Sequence, residues 1–198
     1  MLVKVFGSTV YGINATKITV EVNVGQGSKY LLVGLPDNAV KESQLRIETA
    51  FKNNDLKMPR MGIVVNMAPA DIKKEGSAYD LTIAAGILAA SGQISEERLD
   101  QFLIMGELSL DGGLQPIKGA LPIAIQALKD GFKGMVLPMQ NAREAAMVKD
   151  LEVYGISHIN ELVFFFNGGD AVPRVIVDPR AEFDNNQQSW DIDFSDVK

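Results

Sequence analysis

Ten consecutive residues, Leu81–Ala90, carry no charge, and Thr82 is their one polar side chain. Wound into a helix, this run has no polar face to offer water, so it must be buried on every side. It is far shorter than the ~20 residues that cross a bilayer. The remaining solution is a helix at the centre of a layered domain. Ala84, Ala85, Gly86, Ala89 and Ala90 are small enough to let neighbouring elements approach closely. A chain of 198 residues, 46% of them hydrophobic, can hold such a core without disulfides or metals.

The elements around this helix follow from periodicity. Leu2–Phe6 reads as a strand. Ile18, Val20, Val22 and Val24 alternate with Thr19, Glu21 and Asn23, a period of two. The turn Gly25-Gln26-Gly27-Ser28 and the run Tyr30–Val33 follow, which predicts a hairpin. Asp37 follows Pro36 and can cap a helix carrying Val40, Ile47, Ala50 and Phe51, with Lys41, Glu42, Arg46 and Lys52 facing water. Strands are expected at Met61–Met67, Phe102–Met105, Met135–Leu137 and Leu151–Tyr154. Helices are expected at Tyr79–Ala90, Gly119–Lys129, Asn141–Val148 and Ile159–Phe166. Strands group first and then alternate with helices, which predicts an α/β (α+β) domain: a mixed β-sheet covered by helices. It is expected to span residues 1–176. Residues 177–198 read as a flexible acidic linker.

Composition removes whole classes of function. There is no cysteine, so thiolate metal sites and Cys nucleophiles are excluded, and the lone His158 excludes any multi-histidine site. His158 precedes the final helix and reads as a surface or capping residue. The net charge is −6, of which Asp178–Lys198 supplies −4 through six acids and two bases, leaving −2 for residues 1–177. A nearly neutral body gives no bulk electrostatic case for nucleic acid. No apolar signal core is visible at the start, so a cytoplasmic protein with no membrane partner is expected.

Three local patterns could carry chemistry. A phosphate-binding loop needs Gly-Lys ahead of Ser or Thr, and that dipeptide is missing, so no nucleotide-binding residue is expected in this stretch. Asp71, Glu75 and Asp80 lie close in sequence, but Lys73 and Lys74 sit among them and calcium-loop spacing is lacking. No metal site is expected, and Asp80 reads as a helix cap. Ser77, beside Gly76 at the start of the apolar helix, could act as a nucleophile if a lysine held neutral by burial activated it. Lys118, ahead of a second helix, is the available partner.

Long segments resemble a known family. Residues 64–94, VVNMAPADIKKEGSAYDLTIAAGILAASGQI, and 102–128, FLIMGELSLDGGLQPIKGALPIAIQAL, are similar to the N-terminal domain of the ComM/YifB family of magnesium-chelatase-like AAA+ ATPases. So are VFGSTVYGI at 5–13 and VGLPDNAVKESQLRI at 33–47. The resemblance implies a fold like the proteolytic domain of Lon. In the Lon motif Gly-Pro-Ser-Ala-Gly, aligned through the following helix, the nucleophile falls on Ala78 and the proline on Ser77. The Lon dyad lysine lies just after Pro-Ile-Gly-Gly-Leu, and here Pro116-Ile117-Lys118-Gly119-Ala120 is followed by Leu121. Both dyad positions are thus apolar, and a Ser77/Lys118 peptidase would need a slip in each segment, which turns a helical side chain by ~100° per residue.

The family therefore implies a non-catalytic domain with no cofactor of its own. ATP and Mg2+ belong to an AAA+ module expected beyond Lys198, since Asp191–Lys198 resembles the "D-F-x-D-V-x-G-Q" start of one. Trp190, Ile192 and Phe194 are expected to dock on that module. The whole protein would form a hexameric ring of like subunits acting on DNA in recombination or natural transformation. Competing readings are the Ser77/Lys118 peptidase and a pure oligomerisation scaffold. DNA, if it touches this domain, is expected at Lys73, Lys74 and Lys118, three amines on one rim.

Overall fold

A computed structural model describes residues 1–169 and 172–177. The linker and the start of the expected AAA+ module lie outside them. The strands are β1 (Leu2–Tyr11), β2 (Asn14–Gly25), β3 (Tyr30–Val33), β4 (Gly62–Ala68), β5 (Phe102–Ile104), β6 (Glu107–Leu108), β7 (Leu114–Gln115), β8 (Gly134–Pro138) and β9 (Glu152–Ile156). The helices are α1 (Asn38–Asn53), α2 (Asp80–Ala90), α3 (Ala120–Lys129), α4 (Met139–Ala145) and α5 (Ile159–Phe166). Seven strands form one mixed sheet in the order β3-β4-β2-β1-β5-β8-β9, and β6 and β7 form a small antiparallel pair. This is the expected α/β architecture.

The apolar run behaves as its composition demands: all eleven residues of α2 are buried. The helix lies against β1 and β2. A Cβ on Gly86 would stand 2.4 Å from Val22 Cγ2, so only glycine permits this approach. α1 starts where Asp37 accepts a 2.8 Å hydrogen bond from Val40 N, and the other oxygen of Asp37 accepts from Gly76 N at 3.0 Å. One carboxylate thus caps α1 and ties it to the segment ahead of α2.

The two halves of the sheet are covered differently. In β1, Val3 and Val5 are buried while Leu2 and Lys4 are exposed, the alternation of a strand with one open face. Every residue of β5 and β8 is buried, as expected of parallel strands covered on both faces. Phe165 and Phe166 of α5 meet Phe102 edge-on at centroid distances of 5.2 and 6.1 Å.

One prediction of topology fails. β2 and β3 do not form a hairpin, because β4 lies between them, antiparallel to β2 and parallel to β3. The hairpin belongs to β1 and β2, closed by Gly12 and Ile13. A glycine-rich turn favours reversal, but which strand pairs with which is decided by burial over long range.

Candidate functional site

A cavity of about 440 Å³ opens between the end of β1, the segment ahead of α2, β6 and the segment ahead of α3. Ser77 and Lys118 both line it, together with Thr9, Tyr79 and Glu107. The two segments that resemble the Lon dyad carriers therefore do meet, as the alignment implied.

The partner of Ser77 there is a carboxylate. Ser77 Oγ donates to the Glu107 carboxylate. A carboxylate could accept the hydroxyl proton, while Lys118 is exposed rather than buried. Ala78 is partly buried and packs against the core, and its carbonyl accepts from Gly106 N at 2.8 Å. Leu121 N donates to Glu144 Oε1 at 2.9 Å, which satisfies one orphan N–H of the first turn of α3. Asn141 is buried and clamps Ile117 from both sides, accepting from Ile117 N at 2.8 Å and donating to Ile117 O at 2.9 Å. That clamp fixes the backbone on which Lys118 stands.

Tyr79 is buried with its ring against the core, and burial pushes its hydroxyl up to about 12. It cannot serve as a base at neutral pH.

The three lysines proposed for DNA do not share one rim. Lys74 is buried, and its amine donates to Gly34 O at 2.8 Å and to Pro69 O. Burial lowers its pKa. Its role is to tie the segment ahead of α2 to the loops after β3 and β4, so the expectation for Lys74 is corrected. Lys73 is exposed and pairs with Glu75 at 2.5 Å. Lys118 alone of the three faces the cavity mouth.

Asp80 also differs from expectation. It forms no cap; Arg46, read as facing water, reaches it with Nε–Oδ2 at 2.6 Å and Nη2–Oδ1 at 2.9 Å. Leu108 N donates to the same carboxylate at 3.2 Å. Burial raises the Asp80 pKa against the opposing pull of Arg46, while Asp80 raises that of Arg46. The bidentate pair joins α1, α2 and β6, and so sets the position of Glu107. With Asp80 committed to Arg46 and Glu75 to Lys73, the acidic residues near α2 do not gather, and among the described residues no group of three or more possible ligands could hold a metal. His158 caps α5, its Nδ1 accepting from Asn160 N at 3.2 Å.

Sequence reasoning missed Glu107, Asn141 and Arg46. Each acts across 24 to 34 residues of chain, and no local spacing announces such partners.

Fold and cavity together define a mixed α/β domain with a cleft between the segments ahead of α2 and α3, where Ala78 and Leu121 stand at the positions that the resemblance aligns with the Lon dyad. The chain belongs to the family described as subunit ChlI of Mg-chelatase, which matches residues 20–141. It is 40% identical over 170 residues to competence protein ComM of Haemophilus influenzae, covering 85% of this chain and 33% of the relative. It is 38% identical over 164 residues to YifB of Escherichia coli, covering 82% of this chain and 32% of the relative. Lon protease 2 of Bacillus subtilis is 28% identical over 171 residues, 86% of this chain and 28% of that protein. The chain thus spans about a third of the length of its ComM and YifB relatives. No helix among the described residues is long and apolar enough to cross a membrane.

Proposed function

We propose that these residues form a non-catalytic domain of a magnesium-chelatase-like AAA+ ATPase, a cytoplasmic ring of like subunits that uses ATP and Mg2+ bound outside this domain to act on branched DNA. The observation that carries the non-catalytic part is the pairing of Ser77 with Glu107 beside an exposed Lys118. A Ser/Lys nucleophile needs a desolvated amine, and here the buried lysine, Lys74, is spent on two backbone carbonyls. The DNA part draws support from the likeness to a protein named for competence. Any contact this domain makes with DNA runs through Lys118 and Lys73, not Lys74.

The test uses the full-length protein with Ser77→Ala and Lys118→Met together. ATP hydrolysis without DNA should match the wild type, and neither protein should cleave casein. Loss of ATP hydrolysis in the double variant, or cleavage by the wild type alone, would overturn the assignment.

A further inference from the structure

One wall of the cleft is a strand edge left open. Val24 N donates to Met1 O at 3.0 Å, which marks Met1 and Val24 as a hydrogen-bonded pair at the start of the β1–β2 ladder. The register runs without a slip from Leu2 opposite Asn23 to Tyr11 opposite Asn14. Hydrogen-bonded pairs alternate along an antiparallel ladder. The odd-numbered residues of β1 therefore bond to β2, and the even-numbered residues turn their N–H and C=O to the opposite edge. β5 takes up that edge at Phe6 alone, opposite Leu103. Beyond it Ser8 N donates to Met105 Sδ at 3.2 Å, and the chain after β5 turns away, with Met105 N donating to Val136 O and Gly106 N to Ala78 O. The C=O of Ser8 and both backbone groups of Val10 are left without a partner among the described residues. They belong to the stretch Ser8–Tyr11, which lines the cavity of about 440 Å³.

Backbone groups of this kind are satisfied when an extended chain adds to the edge as a further strand. The two faces of such a strand would meet different surroundings. A Cβ on Gly7 would touch Thr82 and Tyr79, so the odd-numbered side of β1 faces α2. A Cβ on Gly119 would stand 3.0 Å from Val10 Cγ2, so the even-numbered side faces the start of α3. On the α2 side the Tyr79 hydroxyl is buried beside Thr9 and finds no hydrogen-bond partner of good geometry among the described residues. On the α3 side the cavity is lined by Ile117, Ile123 and Lys118. We infer that the cleft seats an extended peptide of a partner protein, added as a strand to the β1 edge at Ser8–Val10. An apolar residue lies opposite Val10 and its polar neighbours face Tyr79. An acidic residue two positions along, on the same face as the apolar one, meets Lys118.

The charges of the cleft favour an acidic occupant. Of its two carboxylates, Glu75 pairs with Lys73 and Glu107 accepts from Ser77 Oγ. Lys118 lines the same cavity and forms no ion pair among the described residues. Pairing through the backbone needs no nucleophile and no nucleic acid. The inference therefore stands apart from both the non-catalytic and the DNA readings: it makes the cleft a place where a partner's chain is held.

The probe is a fluorescein-labelled peptide, Thr-Asp-Thr-Val-Thr-Asp-Thr, titrated with the full-length protein and followed by fluorescence anisotropy. Extended, it puts the valine and both aspartates on one face and the threonines on the other. Saturable binding is expected. An added strand bonds to its neighbour through every second residue, in either direction. N-methylating one alternate set of amides should therefore weaken binding about tenfold, and methylating the other set should change it less than about twofold. Val10→Pro removes the outward N–H and none of the bonds to β2, and should weaken binding by about tenfold with circular dichroism unchanged. Lys118→Glu should weaken it several-fold, and Lys118→Arg should keep it. Absence of saturable binding would overturn the inference. So would equal loss with either methylated set, or binding that ignores both Val10→Pro and Lys118→Glu. Mass spectrometry of the probe separates this inference from the non-catalytic reading: a probe that binds and is then cut would overturn that reading and still support the seat.

Discussion

The segments ahead of α2 and α3 look alike in sequence: each is a glycine-bearing loop with lysine, leading into an apolar helix. The structure uses them in opposite ways. Ahead of α2 and at its first residue, two charged side chains turn inward, Lys74 onto two carbonyls and Asp80 onto Arg46, while Lys73 and Glu75 stay exposed. Ahead of α3, the backbone is held by Asn141 and Glu144, and Lys118 is left to solvent. The α2 segment has a buried lysine, but its amine donates to two backbone carbonyls, and the position that the resemblance aligns with the nucleophile is Ala78. The difference teaches that charged side chains beside a cleft can serve to hold its walls together rather than to line it.

The largest effect should come from breaking the inward-turned pair. Asp80→Ala leaves a guanidinium and the Leu108 N–H without their carboxylate, and loss of one partner of a buried pair costs about 3 kcal/mol at the lower end of its range. We take the lower end because Arg46 keeps 20% of its side-chain surface exposed. Urea unfolding should show a reduced midpoint with unchanged slope.

Lys74→Met should cost less, about 2 kcal/mol, because two carbonyls lose a donor while an enclosed amine is removed. Its pH dependence has a definite sign. Burial lowers the folded-state pKa of Lys74 below 10.5, so the unfolded chain binds more protons in the interval beneath that value. Wild-type stability therefore gains with rising pH through that interval, and the gap to Lys74→Met widens. Parallel melts at neutral and alkaline pH measure the gap; a constant gap would mean the amine is not desolvated.

Asp37→Ala removes the acceptor for Val40 N and Gly76 N together, and should cost about 1–2 kcal/mol, the upper part of the range for a cap. The smallest effect belongs to the outward-turned segment. Lys118→Ala should change stability by no more than ~0.5 kcal/mol, as for other exposed positions. If it cost as much as Lys74→Met, the contrast between the two segments would collapse.

Local signals in the sequence were enough for local outcomes. Asp37 after Pro36 gave the cap of α1, the uniformly apolar run gave the buried α2, and His158 ahead of an apolar stretch gave the cap of α5. What failed was non-local. Nothing in Gly25–Val33 reveals that β4, some thirty residues on, displaces β3 from β2. Arg46 sits among helix residues that do face water, and its partner lies 34 residues away. Lys74 looks like its neighbour Lys73, and only the loops after β3 and β4 decide that one is enclosed and the other exposed. The cleft itself was legible through resemblance, since two long motifs located both of its walls; Glu107 and Asn141 were not, because each is recruited by a backbone position that only the folded chain defines.

The central claim is that this cleft holds no activated serine. Its most direct test is labelling of the full-length protein with a fluorophosphonate serine probe, followed by peptide mass spectrometry across residues 71–94. The account predicts that Ser77 stays unlabelled at neutral and alkaline pH, in the wild type and in Lys118→Met alike. Labelling of Ser77 in the wild type that disappears in Lys118→Met would contradict it, and would establish a working Ser77/Lys118 dyad in its place.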